Sequence, residues 1–206
     1  MPKETFFNLP EEKRQRILTA AIDEFAANSF HNAGVNRIVD GAGIAKGSFY
    51  QYFEDKEDLF RYLLEAIGEQ KMAYLSGLML GLGHLDFFQL LKELFSGGIQ
   101  FAADHPKQAL IGNRFVKDLD PVLKERILGD MAPKSYMFLE QLIQEGIRKG
   151  ELNAKLDIHF TAFFLTHISI AASEYYFIER SSEDYQAFMP YVEELIEIVR
   201  SGIQQR

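Results

Sequence analysis

The polar side chains between residues 46 and 52 have the types and spacing best suited to binding another molecule. Lys46 can donate to guanine acceptors, Gln51 can bond adenine in a bidentate manner, and hydroxyl groups can donate to phosphate oxygens. A glycine at position 47 lets the backbone approach a phosphate closely. These residues favour a surface that contacts double-stranded DNA. The candidate contacts in this stretch are Lys46, Gly47, Ser48, Tyr50, Gln51 and Tyr52.

Two short helices joined by a glycine turn must position these side chains. In the first, Val35, Ile38, Val39 and Ala42 recur at helical spacing, which predicts one buried face. Gly43 follows where a helix can end in a left-handed residue. The second helix then buries Ile44, Phe49 and Phe53 and leaves the polar residues outward. The pattern predicts a helix-turn-helix over about 35–53, which can enter a major groove.

The stretch from Arg14 to Leu64 resembles the TetR family of transcriptional repressors. The resemblance is carried by Ala-Gly-Ile-Ala-Lys-Gly-Ser-Phe-Tyr-Gln-Tyr-Phe at 42–53 and by Lys-Glu-Asp-Leu-Phe at 56–60. It implies DNA contacts from Lys46, Gly47, Ser48, Tyr50 and Tyr52, and a phosphate contact from Lys56. It also implies a homodimer that binds a palindromic operator and a small-molecule effector held by the C-terminal domain.

The start of the first helix departs from the family pattern. Family members usually carry Ser or Thr there, and this chain has Ala33-Gly34-Val35. We expect Asn36 and Arg37 to supply the phosphate contacts in its place.

The charge of the chain is unusual for a DNA-binding protein. The net charge is −8, and residues 1–56 carry seven Lys/Arg and eight Asp/Glu. A basic surface is the usual marker of nucleic-acid binding. The N-terminal part therefore has no excess of positive charge, but three of its cations lie around the candidate surface: Arg37, Lys46 and Lys56.

The compartment follows from what the sequence lacks. It has no cysteine, no apolar run near the ~20 residues of a membrane helix, and no signal-peptide pattern. We expect a cytoplasmic protein without membrane association.

Helical periodicity continues to the C-terminus, and no segment alternates at period two. We predict an all-α fold, with a three-helix N-terminal helix-turn-helix domain at 1–56 and a helical ligand-binding and dimerisation domain at 57–206. The first helix is expected from Asn8 to about Asn28, with Glu11 as a capping-box partner. Later helices are predicted at about 86–104, 107–117, 120–131, 134–149, 157–179 and 183–204.

The two C-terminal helices carry wide apolar stripes that predict a four-helix dimer bundle, as in the family. Packing within one chain is the alternative. The predicted interface residues are Phe160, Phe164, Ile168, Ala171, Ala172, Tyr175, Val192, Leu195, Ile196 and Val199.

The aromatic residues of the C-terminal part favour an apolar ligand pocket with a few polar groups. Ordinary core packing is the alternative for each aromatic ring. The predicted pocket residues are Phe95, Asn113, Arg114, Phe115, Tyr136, Phe164, His167 and Glu174.

Catalysis finds no support in the sequence. There is no cysteine nucleophile, no Gly-x-Ser-x-Gly motif and no close pair of metal-binding histidines. The order Lys46-Gly47-Ser48 does not fit a P-loop, which needs Gly-Lys-Ser/Thr after a strand. We therefore predict no catalytic residue, no metal and no cofactor. The predicted function is a homodimeric, ligand-responsive DNA-binding regulator, with a helical small-molecule binding protein lacking operator binding as the alternative.

Overall fold

The computed structural model of the 206-residue chain describes residues 1–79, 82–128, 131–175 and 186–204, without a few of the side chains inside these helices. In this part of the chain the elements are helices, and the extended pairing is one isolated bridge between Leu152 and Gln204. The predicted all-α fold is confirmed. The chain forms two compact units: a first unit of Met1–Lys71 with Asp104–Gly129, and a second unit of Met72–Ala103 with Asp130–Arg206.

Seven helices contribute to the first unit as far as it is described. The long helix α5 continues into the second unit. Their bounds are α1 (Glu4–Phe7), α2 (Glu11–Ala27), α3 (Val35–Ala42), α4 (Lys46–Tyr52), α5 (Lys56–Met79), α7 (Pro106–Asp118) and α8 (Pro121–Leu128), α6 being described below.

One hydrophobic core holds the first unit together. Ile17, Ile38 and Phe49 are fully buried in it, from α2, α3 and α4. Ile111 of α7 and Ile127 of α8 are buried in the same core. The helices of 104–129 therefore complete the packing around the helix-turn-helix, and a separate domain at 1–56 stays a prediction.

The predicted start of the first long helix is wrong. Pro10, not Asn8, is the residue before α2, and Glu11 bonds to Arg14 and Gln15 instead of closing a capping box. Proline fixes its own φ and is tolerated only at the start of a helix, so Pro10 sets the boundary. The short helix α1, whose Phe6 is fully buried, was not predicted from the sequence.

Aspartate side chains cap three other helix starts. The carboxylate of Asp55 accepts the backbone N–H of Asp58 at the start of α5, at 2.8 Å. Asp120 accepts in the same way at the start of α8, and Asp157 does so at the start of the helix that begins at Ile158. These side chains satisfy amides that the first helical turn leaves unpaired.

The second unit consists of α6 (Phe87–Asp104), α9 (Met131–Arg148), α10 (Ile158–Glu174), a short 3₁₀ turn (Gln186–Phe188) and α11 (Met189–Ile203), with the end of α5. Its core includes Phe87, Leu91 and Ile143 together with Leu165 of α10. None of the helices in the described part of the chain is long and apolar enough to cross a membrane.

Candidate nucleic-acid interface

The turn between α3 and α4 has the geometry that its glycine predicts. Gly43 is left-handed, with φ of 64°. The N–H of Ile44 donates to Val39 O at 3.0 Å, and the N–H of Gly43 donates to Asp40 O at 3.2 Å. This pair of bonds is a Schellman motif, and a residue with a β-carbon would be strained at position 43. The turn fixes the direction in which α4 leaves α3.

Helix α4 presents polar side chains outward over a buried base. Phe49 is fully buried, whereas Lys46 and Gln51 are exposed and Tyr50 is 46% exposed. Ser48 is half-buried. The predicted outward surface is therefore present on α4.

Tyr52 is a correction to that prediction. Its ring is buried, with Phe6 packed 6.3 Å away and the ammonium of Lys13 5.6 Å from the ring centroid. Residue 52 is three positions after Phe49 and falls on the same inward side of the helix. The spacing from Phe49 was therefore a local signal for burial, whereas the partners Phe6 and Lys13 come from a segment far away in sequence.

The glycine at position 47 is not required by the packing of the chain. A β-carbon built there meets no atom within 4 Å, and the backbone is ordinary right-handed helix. Its small size leaves the backbone open to close approach from outside the protein.

A buried carboxylate supports the start of α3, where the Ser/Thr of the family pattern is missing. Glu24 of α2 accepts the backbone N–H of Gly34 at 2.8 Å. It also accepts Nε and Nη2 of Arg37, at 2.9 Å and 2.6 Å. Nη2 of Arg37 donates further to Asn32 O at 2.6 Å. The carboxylate thus pairs the backbone N–H of the N-cap residue Gly34, although α3 has no side-chain cap on its first turn, and Asn36 stays exposed there.

The same contacts change the acidity of Glu24. The hydrogen bonds from Arg37, and then the bond from the Gly34 N–H, lower the pKa of Glu24 below its ordinary value of 4.5 against the opposing effect of burial. They also raise the pKa of Arg37. The ion pair is therefore formed at neutral pH.

Lys56 is engaged with the loop between α2 and α3. Its Nζ donates to Phe30 O at 2.6 Å, to Ala33 O at 2.9 Å and to His31 O at 3.3 Å. It also lies 4.7 Å from the centroid of the Phe30 ring. Desolvation lowers the pKa of this lysine. An ammonium has three N–H donors, and here each has a carbonyl partner.

The N-terminal segment holds the C-terminal end of α4. The backbone N–H of Lys3 donates to Tyr52 O at 2.8 Å, and its Nζ donates to Tyr50 O at 3.0 Å. The Thr5 hydroxyl donates to Gln51 O. We call residues 2–6 the N-terminal clamp. Sequence reasoning missed it, because no local pattern relates residue 3 or 5 to residue 50 or 51.

The predicted pocket residues are divided between the two units. Asn113, Arg114 and Phe115 belong to α7 in the first unit, where Arg114 and Phe115 line a cavity of about 10 Å³ beside Phe25. That volume holds a single water at most. Asn113 is exposed and does not line this cavity, and a ligand pocket at these three residues stays a prediction.

The remaining predicted pocket residues belong to the second unit. Tyr136 and His167 both contact the ring of Phe163, at 6.0 Å and 3.9 Å between centroids. Phe95 is half-buried against the core. The side chain of Glu174 lies outside the described part of the structure. A pocket in this unit stays a prediction.

The predicted dimer residues separate into two sets. Three residues of α10 are exposed, Phe160 at 63%, Phe164 and Ala171, and so is Tyr175 directly after the helix. Ile168 and Ala172 are half-buried against the core. The α11 set faces inward, where Val192, Leu195, Ile196 and Val199 are buried in the core of their own unit. Packing within one chain, the alternative for such a stripe, thus removes the α11 residues from the exposed surface.

No group of three or more His, Cys, Asp or Glu that could hold a metal ion occurs among the residues that the structure describes.

Comparison with known proteins places these features in a family. Residues 17–63, which span α2 to the first part of α5, match the family model described as bacterial regulatory proteins, tetR family. The chain is 33% identical over 125 residues to the uncharacterized HTH-type transcriptional regulator YdgC of Bacillus subtilis (strain 168). That match covers 56% of this chain and 64% of the relative, so the chain spans less than two thirds of the relative's length.

Solved structures extend the similarity over the whole chain. The transcriptional regulator FadR from Bacillus subtilis, in complex with stearoyl-CoA, has a TM-score of 0.73 at 21% identity, covering 88% of this chain and 96% of that one. At that identity the likeness shows the fold alone. A TetR family transcriptional regulator from Chloroflexus aurantiacus J-10-FL has a TM-score of 0.71 at 35% identity. The match covers 100% of this chain and 100% of that chain. With this relative and the helix-turn-helix geometry together, the chain belongs to the TetR family of transcriptional regulators.

Proposed function

We propose that this chain is a homodimeric transcriptional regulator, most simply a repressor, that binds a palindromic operator through α4. A small-molecule effector taken up by the helices beyond the helix-turn-helix releases it from DNA. It acts in the cytoplasm, where such a regulator meets its operator.

The outward surface of α4 carries the proposal. Lys46, Tyr50 and Gln51 are exposed together on one short helix, and Gly47 leaves the backbone between them open. Lys46 and Gln51 have the donors and acceptors that read base edges in a major groove. The hydroxyl of Tyr50 and that of Ser48 suit phosphate oxygens.

The cations have different roles in this proposal. Lys46 is exposed, and its ammonium has no hydrogen bond or ion pair in the described part of the chain. The guanidinium of Arg37 binds Glu24, but the side chain is 56% exposed, so it can also contact a phosphate. Lys56 is committed to the loop carbonyls, so its contribution to DNA binding is to shape that loop. Asn36 is free to contact a phosphate from the first turn of α3.

The exposed face of α10 supports a dimer. The rings of Phe160 and Phe164 are stacked with centroids 6.4 Å apart and are largely exposed. A contiguous apolar surface of this kind favours burial against another protein. Twofold pairing also suits the function, because two recognition helices must lie about 34–36 Å apart to read successive major grooves.

The effector class is suggested by a relative. The Bacillus subtilis FadR structure holds stearoyl-CoA, and the core of the second unit is rich in aromatic and aliphatic side chains. We therefore take long-chain acyl-CoA thioesters as the first compounds to test. An effector releases DNA only through its different affinity for the two conformations, typically about 1–3 kcal/mol of coupling.

Selection of bound duplexes from a random DNA pool tests the DNA-binding part. The expected result is a palindromic consensus that a Lys46→Ala/Tyr50→Ala variant fails to enrich. No enrichment by the wild-type chain at low salt would contradict the proposal and favour a small-molecule binding protein without operator recognition.

Displacement of the selected duplex tests the effector. Stearoyl-CoA should weaken operator binding, while free coenzyme A, which carries the same charges without the chain, should not. Operator affinity that is unchanged at saturating stearoyl-CoA would remove acyl-CoA from the candidates.

A further inference from the structure

The backbone of α4 is held from outside the helix-turn-helix. The helix has 7 residues, and helices this short are unstable in water without support. Its last carbonyls lack partners within the helix. Phe49 O accepts the N–H of Phe53 at 2.9 Å, but the carbonyls of Tyr50, Gln51 and Tyr52 need other donors.

The N-terminal clamp supplies those donors. Lys3 provides two, its backbone N–H to Tyr52 O and its Nζ to Tyr50 O, and the Thr5 hydroxyl provides the third, to Gln51 O. The ammonium of Lys3 is also favourably placed at the negative end of the helix dipole.

Aromatic packing fixes the clamp in place. The ring of Phe6 is fully buried and lies 4.8 Å from the Phe53 ring, between centroids. It also lies 5.5 Å from Tyr62 of α5, in an edge-to-face arrangement. Lys3 and Thr5 are therefore held by a ring anchored in the core, rather than lying free on the surface.

We propose that Lys3 and Thr5 are positioning residues for sequence-specific DNA recognition. Two of the three carbonyls they bind belong to Tyr50 and Gln51, the residues whose side chains point toward the proposed operator. Loss of the clamp lets the end of α4 fray, and these side chains then lose their fixed direction. The inference rests on the proposed operator binding by α4.

The distinguishing property is specificity. Frayed side chains lose base contacts that require exact geometry, while non-specific attraction to phosphates depends on charge and tolerates motion. Thr5→Val removes the hydroxyl donor with little change in shape and none in charge. The ratio of operator to random-duplex affinity should fall about 3- to 10-fold, the equivalent of one hydrogen bond.

Two variants make the test selective. Thr5→Ser restores the donor and should recover the wild-type ratio. Thr166→Val is the matched control, because it also removes a hydroxyl bonded to a backbone carbonyl, that of Ala162, but in the second unit. It should leave the ratio unchanged.

The experiment measures binding of all four proteins to the selected operator and to a random duplex, together with hydrogen exchange of the α4 amides without DNA. A lower ratio and faster α4 exchange in Thr5→Val alone would support the proposal. A wild-type ratio in Thr5→Val, or an equal fall in Thr166→Val, would overturn it. If the wild-type chain selects no duplex, the proposed function fails and the recognition role with it, and faster α4 exchange would then identify the clamp as purely structural.

Discussion

The outer faces of α4 and α10 are both exposed, but they present opposite chemistry. Helix α4 shows Lys46, Tyr50 and Gln51 above a fully buried Phe49. Helix α10 shows the stacked rings of Phe160 and Phe164. A polar face with hydrogen-bond donors and acceptors suits a charged, hydrated partner such as DNA. Exposed aromatic rings are instead stabilised when another apolar surface covers them. The proposed function assigns these two surfaces to two kinds of partner.

The largest expected effect tests the apolar face. Phe160→Glu combined with Phe164→Glu places unpaired carboxylates where the dimer would bury rings, so the dimer dissociation constant should rise at least ~100-fold. Sedimentation velocity should show a monomer. Val122→Glu, at a residue 71% exposed on α8, is the control and should remain dimeric. A double variant with the wild-type mass would show that this face is not the interface.

The next effect tests the polar face. Lys46→Met removes an exposed ammonium, so operator affinity should fall about 10- to 100-fold, the cost of losing one good base contact. The melting temperature should not change, because Lys46 makes no contact that the fold depends on. Fluorescence anisotropy and thermal unfolding give the two readouts. A matching loss of stability would make Lys46 structural.

Lys56→Met makes the same chemical change on a lysine that the structure commits to the fold. It leaves the carbonyls of Phe30, His31 and Ala33 without their donor. The free energy of unfolding should fall by about 1–3 kcal/mol, the cost of unpaired partly buried acceptors. Urea unfolding measures this. Unchanged stability with a loss of operator affinity would instead favour the phosphate contact that the family resemblance implies for Lys56.

The smallest effect concerns the loop that leads to the polar face. The pKa of Glu24 is lowered in the folded chain, so its stabilising effect is fully present above the ordinary value of 4.5 and is lost as pH falls through the lower, folded pKa. Glu24→Gln should flatten the dependence of stability on pH below 4.5. Urea unfolding at several pH values between neutral and acid gives the comparison. An identical pH dependence in the variant would mean that other carboxylates account for it.

Local patterns predicted the parts of the structure that local forces determine. The left-handed Gly43 acts within a few positions of the chain, and its consequence was visible in sequence. Helical periodicity also located the buried face of α3, where Ile38, Val39 and Ala42 are buried. In each case the residue and its partner lie within one helical turn.

Interactions between distant residues were not predicted. Lys56 and Arg37 look like DNA contacts, but their partners at Phe30 O and Glu24 lie 26 and 13 positions away. A cation does not reveal which oxygen it will meet. The N-terminal clamp was not predicted for the same reason, because Thr5 and Gln51 are 46 positions apart.

The apolar stripe of α11 shows a further limit of periodicity. The spacing identified the buried face, with Val192 and Val199 both buried. It could not tell whether the covering surface comes from the same chain or from a partner. Only the packing of the second unit assigned that face to the chain's own core.

The most direct test of whether the outer faces of α4 and α10 act together is native mass spectrometry. The chain is mixed with a duplex that carries its selected site. The account predicts two chains on each full palindromic site. It also predicts that the Lys46→Met chain stays dimeric but leaves the DNA. A single chain bound to the full site at wild-type affinity, or a Lys46→Met complex as abundant as that of the wild type, would contradict the account.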